Sequence, residues 1–433
     1  MSDRYFAGSR TARLINHVFF DGAADERKIV DGLYATRIRL AADPANATSR
    51  AAQAAIVTTF QLIARMGMVI ELDIPDIPLV ASVPPLRRST LRAALLDLGG
   101  DLLPDANVTT QLSGADVIFV FGSTPSNADA VRIESGGFSC ALTRNTEGAT
   151  IDEECPVGGM AAGAAAAAIA LEAGLPRIAD ATDCALSTRP RPSAGPPVRI
   201  DLTELFPGLS SAGPQLNCLD IISGGAITNA FLQALLWTEG TRANVRVIER
   251  ERGDHTNLNR YSQLRASDDA TLKIDVLAAA GRGGIVIHGV EALFDSTTRN
   301  TLVPLAPVVA VGVDNVRARW WVQEEWPELL IIGATDNTSA VLTTHRPGEP
   351  CAGCAHPDPL PPLADGDFIP TISVVSFWGG FMQALELMSE ARPARRVTVY
   401  PFALGGGHWW HAAELPEGAR CAINCPASNR KVA

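Results

Sequence analysis

The sequence predicts an α/β protein: a doubly wound parallel sheet in the second half, preceded by a second α/β domain. Three observations predict this. Short apolar segments alternate with helical patterns along both halves, as expected of a parallel sheet covered on both faces. A Pro- and Ser-rich stretch, Ser187 to Pro214, has little periodicity and separates the halves. Between Leu219 and Glu249 the order is strand, Gly-containing turn, helix, strand, acid.

In the first half the pattern gives a helix over Ser49–Met66, a strand over Met68–Leu72 and a helix over Leu91–Leu98. A buried strand over Asp116–Phe121 and an alanine-rich helix over Gly159–Ala173 follow. In the second half Cys218–Ile222 is a strand and Asn229–Trp237 a helix. Strand Val245–Ile248, helix Thr271–Ala280 and strands Gly284–His288 and Val308–Val313 complete it. The expected division is 1–195, a Pro-rich linker at 196–215, and 216–433, with the boundary near residue 200. The similar order of elements suggests that the first half is a worn version of the second, although no close sequence repeat is visible.

Composition sets limits. With 433 residues, 47% hydrophobic and 19% charged, the chain can build a large core and is neither a coiled coil nor mainly disordered. Lys and Arg total 36 against 47 acids, a net charge of −11, which argues against a broad nucleic-acid surface. The charged N-terminus, MSDRYFAGSRTARLINH, does not read as a signal peptide. The most apolar stretch, Gly158 to Leu175, is mostly alanine and contains Glu172, so a packed helix is expected rather than a membrane span. Eight cysteines are too sparse for a disulfide scaffold, and a cytoplasmic protein with a metal site is expected. Only three lysines occur, and Lys273 alone lies deep in the chain, away from Lys28 and Lys431.

The turn reads Ser223-Gly224-Gly225-Ala226-Ile227-Thr228. Small residues there let a backbone approach phosphates at the positive end of the following helix. Glu249 closes the next strand, where an acid accepts hydrogen bonds from ribose hydroxyls. A full G-x-G-x-x-G would place glycine at 223 and 228, so the turn alone also fits an ordinary strand–turn–helix. The residues that follow add chemistry: Thr256-Asn257-Leu258-Asn259-Arg260, then Lys273, then Asp314-Asn315 leading to Arg319. Ligands in open α/β sheets collect at the carboxyl ends of strands. An acid for ribose, two cations for phosphates and an acid for magnesium suit a nucleoside triphosphate.

Taken together, these motifs resemble the ThiF/MoeB/HesA group, the adenylating domains of ubiquitin-activating enzymes. That family combines a Gly-rich turn, an acid on the second strand, SNLNRQ, a lysine, and a DN pair followed by arginine. The corresponding residues here are SGGAIT, Glu249, TNLNRY, Lys273, Asp314-Asn315 and Arg319. The resemblance covers residues 216–433, with departures at Ser223, Thr228, Glu249 and Tyr261. It implies a Rossmann-like adenylation fold that binds ATP and Mg2+. Gly224, Gly225 and Ala226 would approach the nucleotide, Glu249 would hold the ribose, and Asn257, Arg260 and Lys273 the phosphates. Asp314, with Asn315 beside it, would bind magnesium. The implied reaction joins a C-terminal carboxylate to AMP and releases pyrophosphate. The implied partners are a small ubiquitin-like protein or peptide ending in glycine, together with a conjugating-enzyme-like protein, with no nucleic acid or membrane. A catalytically decayed scaffold that captures a partner protein or leader peptide is the main rival. An NAD-dependent oxidoreductase is a weaker one, since it leaves TNLNRY and the paired cysteines unexplained.

Cys351-Ala-Gly-Cys354 and Cys421-Ala-Ile-Asn-Cys425 form two close pairs. Four thiolates suit a tetrahedral Zn2+ of structural type, with no open position for chemistry; four unrelated thiols are the alternative. No cysteine lies between Cys354 and Cys421, where many members of the resembled family place a thioester cysteine. The stretch Asp365–Gln383 aligns with that crossover loop and the helix after it. Cys140, Cys155, Cys184 and Cys218 read as structural thiols. The histidines, among them His255, His356, His408 and His411, form no catalytic pattern.

In the first half, Tyr34-Ala-Thr-Arg37-Ile-Arg39-Leu40 resembles the family's YDRQIRL segment. There an arginine of one half reaches phosphates bound by the other. The resemblance thus implies an inactive first half, paired within the chain as a pseudo-dimer, that lends Arg37 or Arg39; surface arginines are the plain alternative. Homodimerisation stays open.

Overall fold

The computed structural model describes residues 3–126, 129–188, 194–358, 370–390, 394–406, 408–415 and 421–425. The first sheet comprises β1 (Arg37–Ala41), β2 (Val69–Asp73), β3 (Val108–Thr109), β4 (Val117–Phe121), β5 (Val131–Gly136), β6 (Ser139–Thr143) and β7 (Val198–Asp201). The second comprises β8 (Gln215–Ile222), β9 (Arg242–Ile248), β10 (Gly284–Val290), β11 (Val308–Val311), β12 (Leu329–Thr335), β13 (Ala340–His345), β14 (Arg395–Val399) and β15 (Trp410–Glu414). Their spatial orders are β3-β2-β1-β4-β5-β6-β7 and β10-β9-β8-β11-β12-β13-β14-β15. The first five strands of each run parallel and the later ones antiparallel.

Counted from its own first strand, the second sheet repeats the order of the first and adds one strand at the antiparallel edge. The repeat that is not visible in the sequence is therefore present in the topology. Each sheet reverses its winding once, between β1 and β4 and between β8 and β11. A crevice opens at such a switch point.

The segment 196–215, expected as a linker, instead carries β7, which pairs with β6 and closes the first sheet. A short helix, Leu202–Leu205, follows, and β8 begins at Gln215. The prolines that suggested a linker flank these elements, positions that edge strands tolerate.

The alanine-rich helix, Val157–Thr182, lies against the helix Arg50–Ala64. Gly159 faces the backbone of Ala51, and Gly163 the side chain of Thr58 and the backbone amide of Thr59, so a Cβ at either position would collide. Small residues bring the two helices close, and 89% of the long helix's apolar window is buried inside the fold. In the second half the helix Ser373–Met388 crosses the helix Ala226–Trp237, with Gly380 against the backbone of Ile227 and Phe231. Ser373 Oγ also donates to the Leu62 carbonyl at 2.8 Å. One continuous apolar cluster spans both halves.

The first half's crevice is filled by its own chain. Arg132, fully buried, donates to the carbonyls of Gly122, Thr124 (3.1 Å), Asn145 (3.2 Å) and Thr146 (2.7 Å). Asn46 accepts from the Ser123 amide at 3.0 Å. The start of the helix Arg50–Ala64 is covered as well: Ala52 N–H donates to Ser49 Oγ and Ala51 N–H to the Glu153 carbonyl. The donors that would meet a phosphate there are already used.

Candidate active site

The second half's switch point holds an open cleft of about 900 Å³. Its floor is the turn after β8. Ser223 adopts φ +90°, a left-handed backbone that explains why glycine is favoured at this position. The serine compensates locally, its Oγ accepting from the Gly225 amide at 3.0 Å. Thr228 Oγ1 donates to the Ser223 carbonyl at 2.7 Å, and Asn229 Nδ2 to those of Gly224 and Gly225 at 3.1 and 2.9 Å. The two departures from glycine thus brace the turn. A Cβ on Gly224 would press on Glu249 Cγ at 3.1 Å, so glycine is needed there for close packing. The helix Ala226–Trp237 begins without a side-chain cap, and Ala226 and Ile227 line the cleft. This leaves the helix's positive end turned toward any anion in the cleft.

Glu249 closes β9 and lines the same cleft. Its carboxylate accepts from Gly224 N–H at 2.9 Å, Arg250 N–H at 2.8 Å and Glu251 N–H at 2.9 Å. It therefore staples β9 to the turn.

Next comes the TNLNRY loop. Arg260 donates to the Thr256 carbonyl at 2.6 Å and to Asn259 Oδ1 at 2.7 Å. Burial draws its pKa down to about 10. Lys273 pairs with Glu251 at 2.5 Å and reaches the Tyr261 hydroxyl at 3.3 Å. Burial opposes its charge, but Tyr261, Glu251 and Glu249 outweigh burial and raise its pKa, so it stays an ammonium. Glu251 is largely exposed, so this pairing is open to competition from a stronger anion. Asn257, expected at the phosphates, is not among the lining residues. It caps its own helical turn, its Oδ1 accepting from Asp254 N–H at 3.4 Å.

Across the switch point Asp314 stands exposed in the cleft after β11. A free carboxylate at that place is a hard oxygen donor of the kind magnesium takes. Asn315 lines the cleft, but its side chain caps the helix Val316–Gln323, accepting from Arg317 and Ala318 N–H groups at 2.9 and 3.3 Å. Arg319 donates twice to the Val313 carbonyl, at 3.1 and 2.8 Å. Burial lowers its pKa to about 10 against the opposing pull of Asp314.

Neither first-half arginine expected at the site lines the cleft. Arg37 bonds to Ser113 Oγ at 3.0 Å, and Arg39 forks onto Glu71 at 3.0 and 2.9 Å. Both lie on β1 and neither lines the cleft. Arg10, on the opening helix Asp3–Phe19, does line it, close enough to Arg260 to disfavour that residue's charge. The opening helix packs on the TNLNRY loop, and Asn259 Nδ2 donates to Thr11 Oγ1 at 3.0 Å and to the Thr371 carbonyl at 3.1 Å. Arg65 was also missed. It is fully buried in the first half and donates to the carbonyls of Leu258, Ser262 and Leu264 at 2.7, 3.0 and 2.8 Å. The available signal was Arg10 in a charged N-terminal segment with helical spacing; nothing local marks Arg65.

The four paired cysteines converge. Their sulfurs lie within 4.8 Å of one another, with Cys351–Cys421 at 3.4 Å, Cys354–Cys425 at 3.5 Å and Cys351–Cys354 at 3.8 Å. A tetrahedral zinc with bonds of ~2.3 Å needs sulfurs about 3.8 Å apart, so the set fits that ion. Burial and neighbouring thiols push Cys351 upward and Cys354 to about 11, so a cation is what would stabilise them as thiolates. Of the others, Cys140 is buried, Cys155 and Cys184 are half-buried and Cys218 is exposed; none lines the cleft. The residues expected in the crossover loop at 365–369 lie outside those described.

Residues 37–185 match the family model described as the BilD N-terminal domain. No curated protein matches the chain. Among solved structures, E. coli MccB is 17% identical with a TM-score of 0.40, covering 48% of this chain and 65% of MccB. The microcin C7 biosynthetic enzyme MccB in complex with N-formylated MccA is 16% identical with a TM-score of 0.40, covering 48% and 67%. PaaA is 13% identical with a TM-score of 0.33, covering 46% and 64%. The chain thus spans about two thirds of the length of these proteins, and less than half of it is matched by them.

Proposed function

We propose that the chain activates a carboxylate by ATP-dependent adenylation, and that the acyl substrate is the C-terminal carboxylate of a peptide or small ubiquitin-like protein. The observation that carries this reading is the make-up of the cleft. An uncapped helix start, Arg260, Lys273 and the lent Arg10 surround one space, and Asp314 projects into the same space. Such a site suits a polyanion with a metal counter-ion.

The chemistry follows from charge. A carboxylate is a weak nucleophile repelled by a polyphosphate, so neutralisation and alignment supply the rate. The uncapped amides at the start of the helix, those of Ala226 and Ile227, and the cations would fix the triphosphate, and Glu249 would take the ribose through its remaining lone pairs. Asp314 would hold magnesium, which supplies charge neutralisation. The carboxylate oxygen bonds to the α-phosphorus while the bond to the β-phosphate's bridging oxygen breaks, and pyrophosphate leaves with that electron pair. No general base is required, because the nucleophile is already anionic. The four-cysteine set is read as a structural zinc staple between 351–354 and 421–425.

The test is ATP–pyrophosphate exchange with a glycine-tailed protein or peptide as acyl substrate. Exchange by the wild type, abolished in Lys273→Ala and Asp314→Ala, supports adenylation. ATP binding without exchange, or exchange that both variants retain, removes it. Absence of ATP binding altogether favours the scaffold reading, to which the strained Ser223 lends some support.

A further inference from the structure

The cleft has a wall that the sequence motifs do not reach. β13 and β14 pair Thr343 with Arg396. Alternation along the strands puts Arg396 on one sheet face with Thr343 and Thr398, the face that also carries Val341 and, across β12, Ala334. Arg396, Val341 and Ala334 all line the cleft. Its strand neighbour Arg395 belongs to the other face, where it pairs with Glu386 at 2.7 Å and donates to the Leu205 carbonyl at 2.7 Å.

Arg396 has no such partner. Among the described residues it makes no ion pair, and its Nε is buried without a hydrogen bond. Asp314, Asp336 and Asp358 line the same cleft, but none of them forms an ion pair with Arg396. Arg319 lies nearby, donating to His356 Nε2 at 3.4 Å, and adds a second positive charge to this wall. Thr371 and Ser376, with hydroxyls 3.1 Å apart, also line the cleft. A half-buried guanidinium without a hydrogen-bonded ion-pair partner is unfavourable until a ligand brings one. Its planar fork matches a carboxylate with two parallel hydrogen bonds.

We propose that Arg396 is a specificity residue that holds the free carboxylate of the acyl substrate. The inference rests on the adenylation reading. The triphosphate's cations, Arg260 and Lys273, lie on the β8–β9 side of the sheet, whereas Arg396 lies on the β13–β14 side. The cleft therefore has separate walls for its two anions. Arg396 selects a free C-terminus over an amidated one and offers the carboxylate to the α-phosphate.

The probes are N-acetylglycylglycine and its C-terminal amide, titrated calorimetrically into the full chain, with and without α,β-methylene-ATP and magnesium. The wild type is expected to bind the acid about 10- to 100-fold more tightly than the amide. Arg396→Gln should lose that preference with nucleotide affinity unchanged, and Arg396→Lys should restore part of it. The proposal is overturned if the wild type binds both probes alike or neither, or if Arg396→Gln keeps the preference. It is equally overturned if Arg396→Gln weakens nucleotide binding as much as it weakens dipeptide binding. A wild type that prefers the acid but binds no nucleotide would remove the adenylation reading while leaving the carboxylate site in place.

Discussion

Replacing Arg65 with methionine tests whether the first half serves to hold the second half's TNLNRY loop. Arg65 is fully buried and does not line the cleft. Burial, with Arg265 nearby, draws its pKa from 12.5 to about 9. A shift of that size corresponds to a charge-burial cost of ~5 kcal/mol. Three charge-assisted bonds, at ~1.5–3 kcal/mol each, offset it. The terms nearly cancel, so Arg65→Met should cost only ~1–3 kcal/mol of global stability, mostly from three carbonyls left without this donor. The local effect should be larger, because residues 258–264 lose their main tie to the first half. Hydrogen exchange of these amides should accelerate, and ATP affinity should fall about tenfold, ~1.4 kcal/mol. Urea titration, hydrogen exchange and calorimetry read the three quantities. Lower stability with unchanged loop protection and unchanged ATP affinity would refute the reasoning, leaving Arg65 as an ordinary packing residue.

Other consequences are equally direct. Arg10→Ala should weaken ATP binding about 10- to 100-fold through loss of one charge-assisted contact, whereas Arg37→Ala and Arg39→Ala should leave it unchanged in the same titration. Metal analysis should find one zinc per chain, and Cys354→Ser should lower both zinc content and thermal stability; fully folded, zinc-free wild type would contradict the staple. His345 provides a pH signature. Its Nδ1–H donates to the Pro350 carbonyl at 3.0 Å and its Nε2 accepts from Thr343 at 3.0 Å, while burial depresses its pKa from 6.5 to about 4. The unfolded chain therefore binds a proton that the fold refuses, so this contribution is intact above pH 6.5 and is lost as pH falls toward 4, by ~3 kcal/mol. His345→Gln should flatten the decline of the urea midpoint between pH 7 and 5, and an unchanged slope would count against it.

Much of this architecture was legible in the chain because it is locally encoded. Asp116–Phe121 reads as a buried strand and Cys218–Ile222 as a strand, and the turn, TNLNRY, Lys273 and Asp314 could be ordered along one sheet edge. Lys273, first a compositional oddity, lies in the cleft. What stayed hidden depends on distant pairings. β7 was masked by flanking prolines, although its pairing with β6 defines the sheet edge. Arg10, Arg65 and Arg396 owe their places to contacts between halves or to the antiparallel strands, and no spacing rule marks such residues. Arg37 and Arg39 were misread for the same reason: a local motif match could not show that Glu71 and Ser113 already occupy them.

The central claim is that one nucleotide site survives, in the second half, built partly from the first. Calorimetric titration of the full chain with ATP and magnesium tests it most directly. One ATP per chain, lost in Lys273→Ala and retained in Arg132→Gln, is the predicted result. No binding, two equivalents per chain, or binding that survives Lys273→Ala but not Arg132→Gln would contradict it.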